Sequence, residues 1–357
     1  MPTKRASGDI VWPTALDRCE GVRKVYLDLN HWIGLARYNK GLSTLDGYEE
    51  LLSSARSAVA DGSTVFPLSG VHYMEMSGIK DPRQRLDLAL VMQELSGFAV
   101  SLGRSTIMSL ETEAGLDRQT GPSSQPFARV PLLGSSAGWA CGVRGGLRIG
   151  GADGQDHTDE FRTAYGDLYK RMSRDFELHA LTGPTDAQAD YLRATSIWDP
   201  TVAQAHAQRR AQQEREQAAR LDKDETWRRG RLRDVMGAWE MTVEVIDGLT
   251  EQLIQRSTTV AAAMGERQRI RDFTDGMPTT RMAVGMKTQY HQDGQHRWTA
   301  NDIHDIDALS VAVPYFDAVL TDQAARQAIT VQHLDHDFDT YVPRTAKQLA
   351  EWLVATS

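Results

Sequence analysis

Carboxylates placed where one structural element hands over to the next are the residues of this sequence best suited to chemistry. Residues 298–322 read WTANDIHDIDALSVAVPYFDAVLTD, with Asp302, Asp305 and Asp307 opening an apolar segment that runs to Val313. Read as a helix, this segment puts Ile306, Leu309 and Val313 on one face, at spacings of three and four, pointing into a core. Asp302 and Asp305 are then neighbours near the helix start, where the helix dipole favours negative charge. Pro314 is expected to stop the helix. Residues 318–321 read as a short buried strand, with Thr321 and Asp322 at its end. Asp28 stands at the end of an earlier strand, residues 22–29 (VRKVYLDL), and Glu75 lies in the helix after a second strand, residues 64–68. Converging carboxylates repel one another unless a cation neutralises them. Hard divalent ions such as Mg2+ or Mn2+ take oxygen ligands, keep several waters and use few carboxylates beside substrate phosphates. An ion so held activates water and stabilises the charge of an in-line attack on a phosphodiester. Taken singly, each Asp also reads as an N-cap or a solvated loop residue, because Asp is favoured at both places.

The elements that must position these groups alternate. After an irregular lead-in over residues 1–21 and the first strand comes a helical pattern through Trp32, Ile33, Leu35 and Ala36. Residues 48–60 (YEELLSSARSAVA) predict a helix ended by Asp61-Gly62. Ser69 is a suitable N-cap for a helix carrying His72, Glu75 and Met76; residues 86–95 predict another helix and residues 98–102 a third strand. Strands and helices alternating at these lengths imply a parallel sheet covered by helices. In such sheets, active groups gather outside the carboxyl ends of the strands.

Near residue 120 the composition changes. Residues 121–156 are rich in Gly, Ser and Pro and read as a long loop or irregular insertion. Residues 157–263 read as largely helical, and residues 274–295, rich in Gly, Met and Thr, as a loop leading back. The tail predicts a helix at 323–328, a strand around 329–334 and a closing helix at 345–354. The layout expected is one α/β domain made from residues 1–117 and 298–357, interrupted by a mainly helical insertion over residues 118–297.

Composition bounds the rest. The chain has 357 residues and a net charge of −8, which argues against coating nucleic acid by bulk electrostatics but not against gripping it through metal ions in an acidic pocket. Cys19 and Cys141 form neither a disulfide framework nor a zinc motif, which suits a reducing cytoplasm. The N-terminus lacks the apolar core of a signal peptide, and no apolar run reaches membrane-spanning length, so a cytoplasmic protein with no membrane partner is expected. Within the basic stretch 209–233, Arg228, Arg229, Arg231 and Arg233 flank Trp227 and are the residues suited to a nucleic-acid backbone. Interleaved acidic residues make a solvated helix face the other reading, and pairing of this helix with a second copy a third. His31 and His72 read either as groups that touch phosphate or as histidines that satisfy a hydrogen bond at a helix start. The run HLDHDFD over residues 333–339 has metal-like composition, but side chains alternate in direction along a strand end, and a solvated loop is the other reading.

VYLDLNHWIGLA, FPLSGVHYMEM and NDIHDIDALSVAVPYFDAVLTD together resemble the four acidic motifs of PIN-domain nucleases, in their order and strand context. The resemblance covers about 170 residues at the two ends of the chain, and an insertion this large departs from the compact family pattern. It implies a PIN-like central parallel sheet flanked by helices and a metal-dependent endonuclease, acting on RNA more often than DNA. Asp28, Glu75, Asp305 and Asp322 would hold Mg2+ or Mn2+, with Asp302 as an alternative or accessory ligand. Asn30 would support a ligand or a metal-bound water, and Thr321 sits where the family often has a hydroxyl beside the metal. Family habit adds a role as a toxin or antiphage effector with an inhibitory or activating protein partner. The competing reading is a catalytically silent PIN-like scaffold that binds a partner through its insertion. A phosphatase of the haloacid dehalogenase type also begins with a strand-end Asp, but wants a second Asp where this chain has Asn30.

Overall fold

The computed structural model describes residues 8–42, 46–194 and 200–356; residues 1–7 of the lead-in lie outside them. The chain is mixed α/β, with many helices and short strands that pair mainly in parallel. It forms two compact units. The first comprises residues 21–103, 133–203 and 345–357, the second residues 1–20, 104–132 and 204–344. The divisions suggested by composition, at 117/118 and 297/298, fall inside the second unit.

In the first unit, the strand Arg23–Leu27 pairs in parallel with Thr64–Val65, and Leu68 bridges Val100 in the same sense. The helix Leu29–Asn39 starts directly after Asp28, and Tyr48–Ala60 and Gly70–Gly78 form where their caps and turn signals predict. Val25, Leu27, Trp32, Leu35, Leu51 and Phe66 are fully buried between them. Tyr48 ties two helices together: its hydroxyl lies 2.9 Å from His31 Nδ1, and its ring occupies the space a side chain at Gly34 would need. Gly47 is required twice over, since its φ is 83° and a Cβ there would meet the Lys347 nitrogen at 2.6 Å. That close approach seats the closing helix Ala346–Ala355 against Tyr48–Ala60.

The second unit corrects several expectations. Residues 278–292 are not a loop but the helix Pro278–Gln292, and nearly all of it is buried. Proline at the first position and Glu111 of the helix Arg104–Thr120 fix its start. The Glu111 carboxylate accepts from Thr279 N at 3.0 Å, from Thr279 Oγ1 at 2.6 Å and from the Tyr315 hydroxyl at 2.6 Å. A helix covered on all sides shows no polar face, so periodicity does not mark it. The strand expected around 329–334 is also helical: Gln323–Val331 runs through it, followed by Leu334–Phe338. The chain pairs instead at Tyr341, which bridges Ala318 in parallel. Pro314 lies inside the helix Ala300–Tyr315, one residue before its end.

The helix Pro200–Lys223 departs furthest from the solvated face expected of it. Ala207, Ala211, Glu214 and Leu221 are buried at heptad-like spacing. Lys287 Nζ lies 2.6 Å from Glu214 Oε1 and 2.8 Å from Glu240 Oε2, and all three side chains are almost wholly covered. Arg104 pairs with Glu240 and, at 3.0 Å, with Asp307. Arg210 grips Asp307 at 2.5 and 2.9 Å and Glu244 at 2.8 Å. Burial by itself would raise the Asp307 carboxyl, but Arg210 and Arg104 hold it down at about 2. Glu214 is likewise brought to about 2, because Lys287 and His291 outweigh its burial. A π turn, Met241–Val245, begins right after Glu240 and contains Glu244.

Removing one partner of such a network leaves an unmatched buried charge, which costs about 3–5 kcal/mol. Lys287→Met should therefore lower stability in urea unfolding by that order. Arg118→Ala, which loses only an exposed pair with Asp9 at 3.3 Å, should shift it by less than about 0.5 kcal/mol.

Candidate functional site

The expected acidic residues fall into two groups, Asp28 and Glu75 in the first unit and Asp302, Asp305 and Asp322 in the second. Asp28 ends the strand and caps the helix Leu29–Asn39, its carboxylate accepting from Leu29 N at 2.7 Å. Glu75 is carried by Gly70–Gly78, and His72 sets where that helix sits. Ser69 N donates to His72 Nδ1 at 3.0 Å, so Nδ1 is unprotonated and Nε2–H donates to the Leu27 carbonyl at 2.9 Å. The imidazole also stacks on Tyr26, with ring centres 5.2 Å apart. Burial pushes His72 down to about 4 despite the bond to Leu27, so it is a neutral strut between the helix start and the residue before Asp28. Of the two readings of His72, the satisfied helix-start hydrogen bond is the one the geometry shows.

That strut brings Glu75 within electrostatic reach of Asp28. Burial, and secondarily the Asp28 charge, raise the Glu75 carboxyl to about 7. Glu75 Oε2 is buried without a hydrogen-bond partner. A carboxylate oxygen left so, beside a second carboxylate, is the donor set a hard cation takes, and Mg2+ uses only one or two carboxylates with waters and phosphates. Asn30 is exposed in the first turn of its helix.

In the second unit, Thr299 and Asp302 form a capping box, Asp302 Oδ2 accepting from Thr299 N at 2.6 Å and Oγ1 at 2.8 Å. Asp302 Oδ1 is 3.3 Å from His296 Nε2. Burial would raise Asp302, and His296 and Thr299 together hold it below its ordinary value. Asp305 lies one turn on, half-buried. Asp322 ends the strand Ala318–Leu320 and caps Gln323–Val331, accepting from Ala325 N at 2.8 Å; Thr321 beside it is buried. All three carboxylates act on Tyr290, whose hydroxyl is pushed up first by burial and then by Asp305, Asp302 and Asp322. Tyr290 stacks on His296 at 4.8 Å, with Trp298 edge-on at 5.6 Å. Sequence reasoning missed Tyr290 because it lies in the segment read as a loop; Pro278 as a helix start was the available signal.

Among the described residues, no three His, Cys, Asp or Glu side chains are grouped to hold a metal ion, and the run 333–339 forms a short helix in which Asp337 faces Arg281 at 3.6 Å. Arg228 is paired with Asp222 at 2.6 Å and Arg233 with Asp275 at 2.8 Å, while Arg231 is exposed. Cys141 is a free thiol, Cys19 hydrogen-bonds to Asp17, and among the described residues no helix is long and apolar enough to cross a membrane. Comparison of the chain with protein-family models, with curated proteins and with solved structures found no match.

A raised carboxyl favours its protonated form in the folded chain. Its contribution to stability is therefore complete below the unfolded value of 4.5 and is lost as pH rises through about 7. Glu111, also raised to about 7 by burial, gives the same trend, so the comparison must be between variants. Glu75→Gln should match the wild type in urea unfolding at pH 4 and exceed it by about 3 kcal/mol at pH 8. Equal stability at both values would mean that Glu75 ionises like an exposed carboxyl.

Proposed function

We propose that this protein is a metal-dependent endonuclease of PIN-like architecture that cleaves phosphodiester bonds, RNA before DNA. The observation that carries the reading is the Asp28–Glu75 pair, in which a buried Glu75 oxygen has no protein partner beside a second carboxylate. Oxygen donors of this kind suit Mg2+ or Mn2+, which would polarise the phosphodiester and lower the pKa of an attacking water. In this reading Asp28, whose direction is fixed by its bond from Leu29 N at the helix start, supplies one carboxylate donor to the cation. Glu75, held by His72, supplies the second donor. Asp305 and Asp322 take the third and fourth acidic roles that the motif resemblance assigns, with Asp302 as accessory and Thr321 beside Asp322. Arg231, which is exposed, remains the residue of the 209–233 stretch proposed to meet a nucleic-acid backbone. A toxin or antiphage role with a protein partner rests on family habit alone.

The scaffold reading is favoured by a different observation: Asp28, Asp302 and Asp322 each accept a backbone N–H at a helix start, which accounts for each without chemistry.

One experiment separates the two. Labelled single-stranded RNA, structured RNA and duplex DNA are incubated with the wild type and with Asp28→Asn, Glu75→Gln, Asp305→Asn and Asp322→Asn, in Mn2+ or EDTA. Cleavage should need Mn2+ and fall on the order of 100-fold or more in each variant. Mn2+ should also raise the wild-type melting temperature at pH 8 and leave Glu75→Gln unmoved. No cutting of any substrate, with no Mn2+ effect on melting, would leave the scaffold.

A further inference from the structure

In the second unit, the helices Leu232–Glu240 and Arg267–Gly276 flank a solvent-open cavity of about 260 Å3 that none of the acidic residues of the proposed nuclease lines. Three arginines face it, Arg233, Arg267 and Arg271, against two carboxylates, Asp234 and Asp275. Arg233 pairs with Asp275 at 2.8 Å, Arg271 with Asp234, and Arg267 reaches the same Asp234 at only 3.6 Å. Arg281, outside the lining, feels Asp337, Asp275 and Asp9 as well as Arg233, and pairs with Asp337 at 3.6 Å. Among the lining residues, guanidiniums thus outnumber carboxylates three to two. Each guanidinium has five N–H donors, more than one carboxylate oxygen satisfies, and Arg233 Nε is buried with no partner while its side chain is only 10% exposed.

Ala238, Ile270 and Val284 add apolar surface between the charged groups of the lining. Gly237 also lines the cavity, and no close contact requires glycine there. It lies inside a helix, where glycine is unfavourable, its φ is negative, and an added Cβ would meet nothing closer than Thr274 Cγ2 at 3.9 Å. What the missing side chain preserves is the space of the cavity.

We propose that this cavity binds a small phosphate monoester, the guanidinium groups taking the phosphate and the neighbouring apolar side chains its organic part. A monocarboxylate is satisfied by one guanidinium fork, whereas a phosphate presents three oxygens and a double charge to several. The proposal is independent of the nuclease reading, and its test uses no divalent cation and no cleavage.

Phenyl phosphate, inorganic phosphate, phenol and a 5′-phosphorylated oligoadenylate are titrated by calorimetry into the full chain and into two variants. Arg267→Gln removes a charge whose side chain is 65% exposed, and Gly237→Val fills the cavity while leaving every charge in place. Phenyl phosphate should bind at least about tenfold more tightly than inorganic phosphate, and about tenfold more weakly to Arg267→Gln. Phenol should give no heat, and Gly237→Val, with an unchanged circular dichroism spectrum, should lose phenyl phosphate. Tighter binding of the oligoadenylate would make the natural ligand a nucleic-acid end, and tighter binding of phenyl phosphate a free metabolite; the site stands in both. No binding of either ester at millimolar concentration, equal affinity for ester and inorganic phosphate, or binding that neither variant changes would overturn it.

Discussion

Lys287 is an ammonium group taken out of water, and the second unit is built around the need to match it. Glu214 and Glu240 do so directly, Arg104 balances Glu240, and Asp307 links Arg104 to Arg210. Five helical stretches supply these groups: Arg104–Thr120, Pro200–Lys223, Leu232–Glu240, Pro278–Gln292 and Ala300–Tyr315. A charge buried alone costs several kcal/mol, so a one-residue rotation of any of these helices would strand a charge. Apolar contacts tolerate small slips, while a closed set of ion pairs does not. The network acts here as a register device as much as a source of stability.

The first unit solves a similar problem without charge. His72 is buried and neutral, and both its ring nitrogens are used, one by Ser69 and one by Leu27. The same burial that keeps His72 neutral raises Glu75, whose oxygen has no donor to meet it. A satisfied polar group and an unsatisfied one thus sit three residues apart on one short helix. The first explains why the helix is placed as it is, and the second is what the structural account leaves over for function.

Helix capping and metal binding make overlapping demands on aspartate. Both want a short acidic side chain at the end of a strand, pointing across the start of a helix. Capping takes a backbone N–H at 2.7 Å for Asp28 and 2.8 Å for Asp322, and so fixes the direction of each carboxylate. Position therefore makes these residues candidates for both roles, and Glu75, which caps nothing, is the residue whose chemistry separates the readings.

Local signals were enough for much of this fold. Asp61-Gly62 ended the helix Tyr48–Ala60, Ser69 and Thr345 capped the helices after them, and Asp28 and Asp322 fell at strand ends, because caps and turns act within a few residues. Asp302 and Asp305 were placed on a helix start by the same logic. Burial is different, because it depends on residues far away in the chain. Pro278–Gln292 has no polar face to betray it, and its start is secured by Glu111, 168 residues earlier. Residues 329–331 have the β-branched composition of a strand but continue a helix, because Ala325, Ala328 and Ile329 share a buried face. Arg210 and Glu214 read as a solvated pair on a charged helix, and only the approach of Asp307 and Lys287 from other helices makes them a core. The sequence by itself determined where chain direction changes and which carboxylates stand at those changes. The tertiary structure alone decided which charges leave water, since that is set by the partners that cover them.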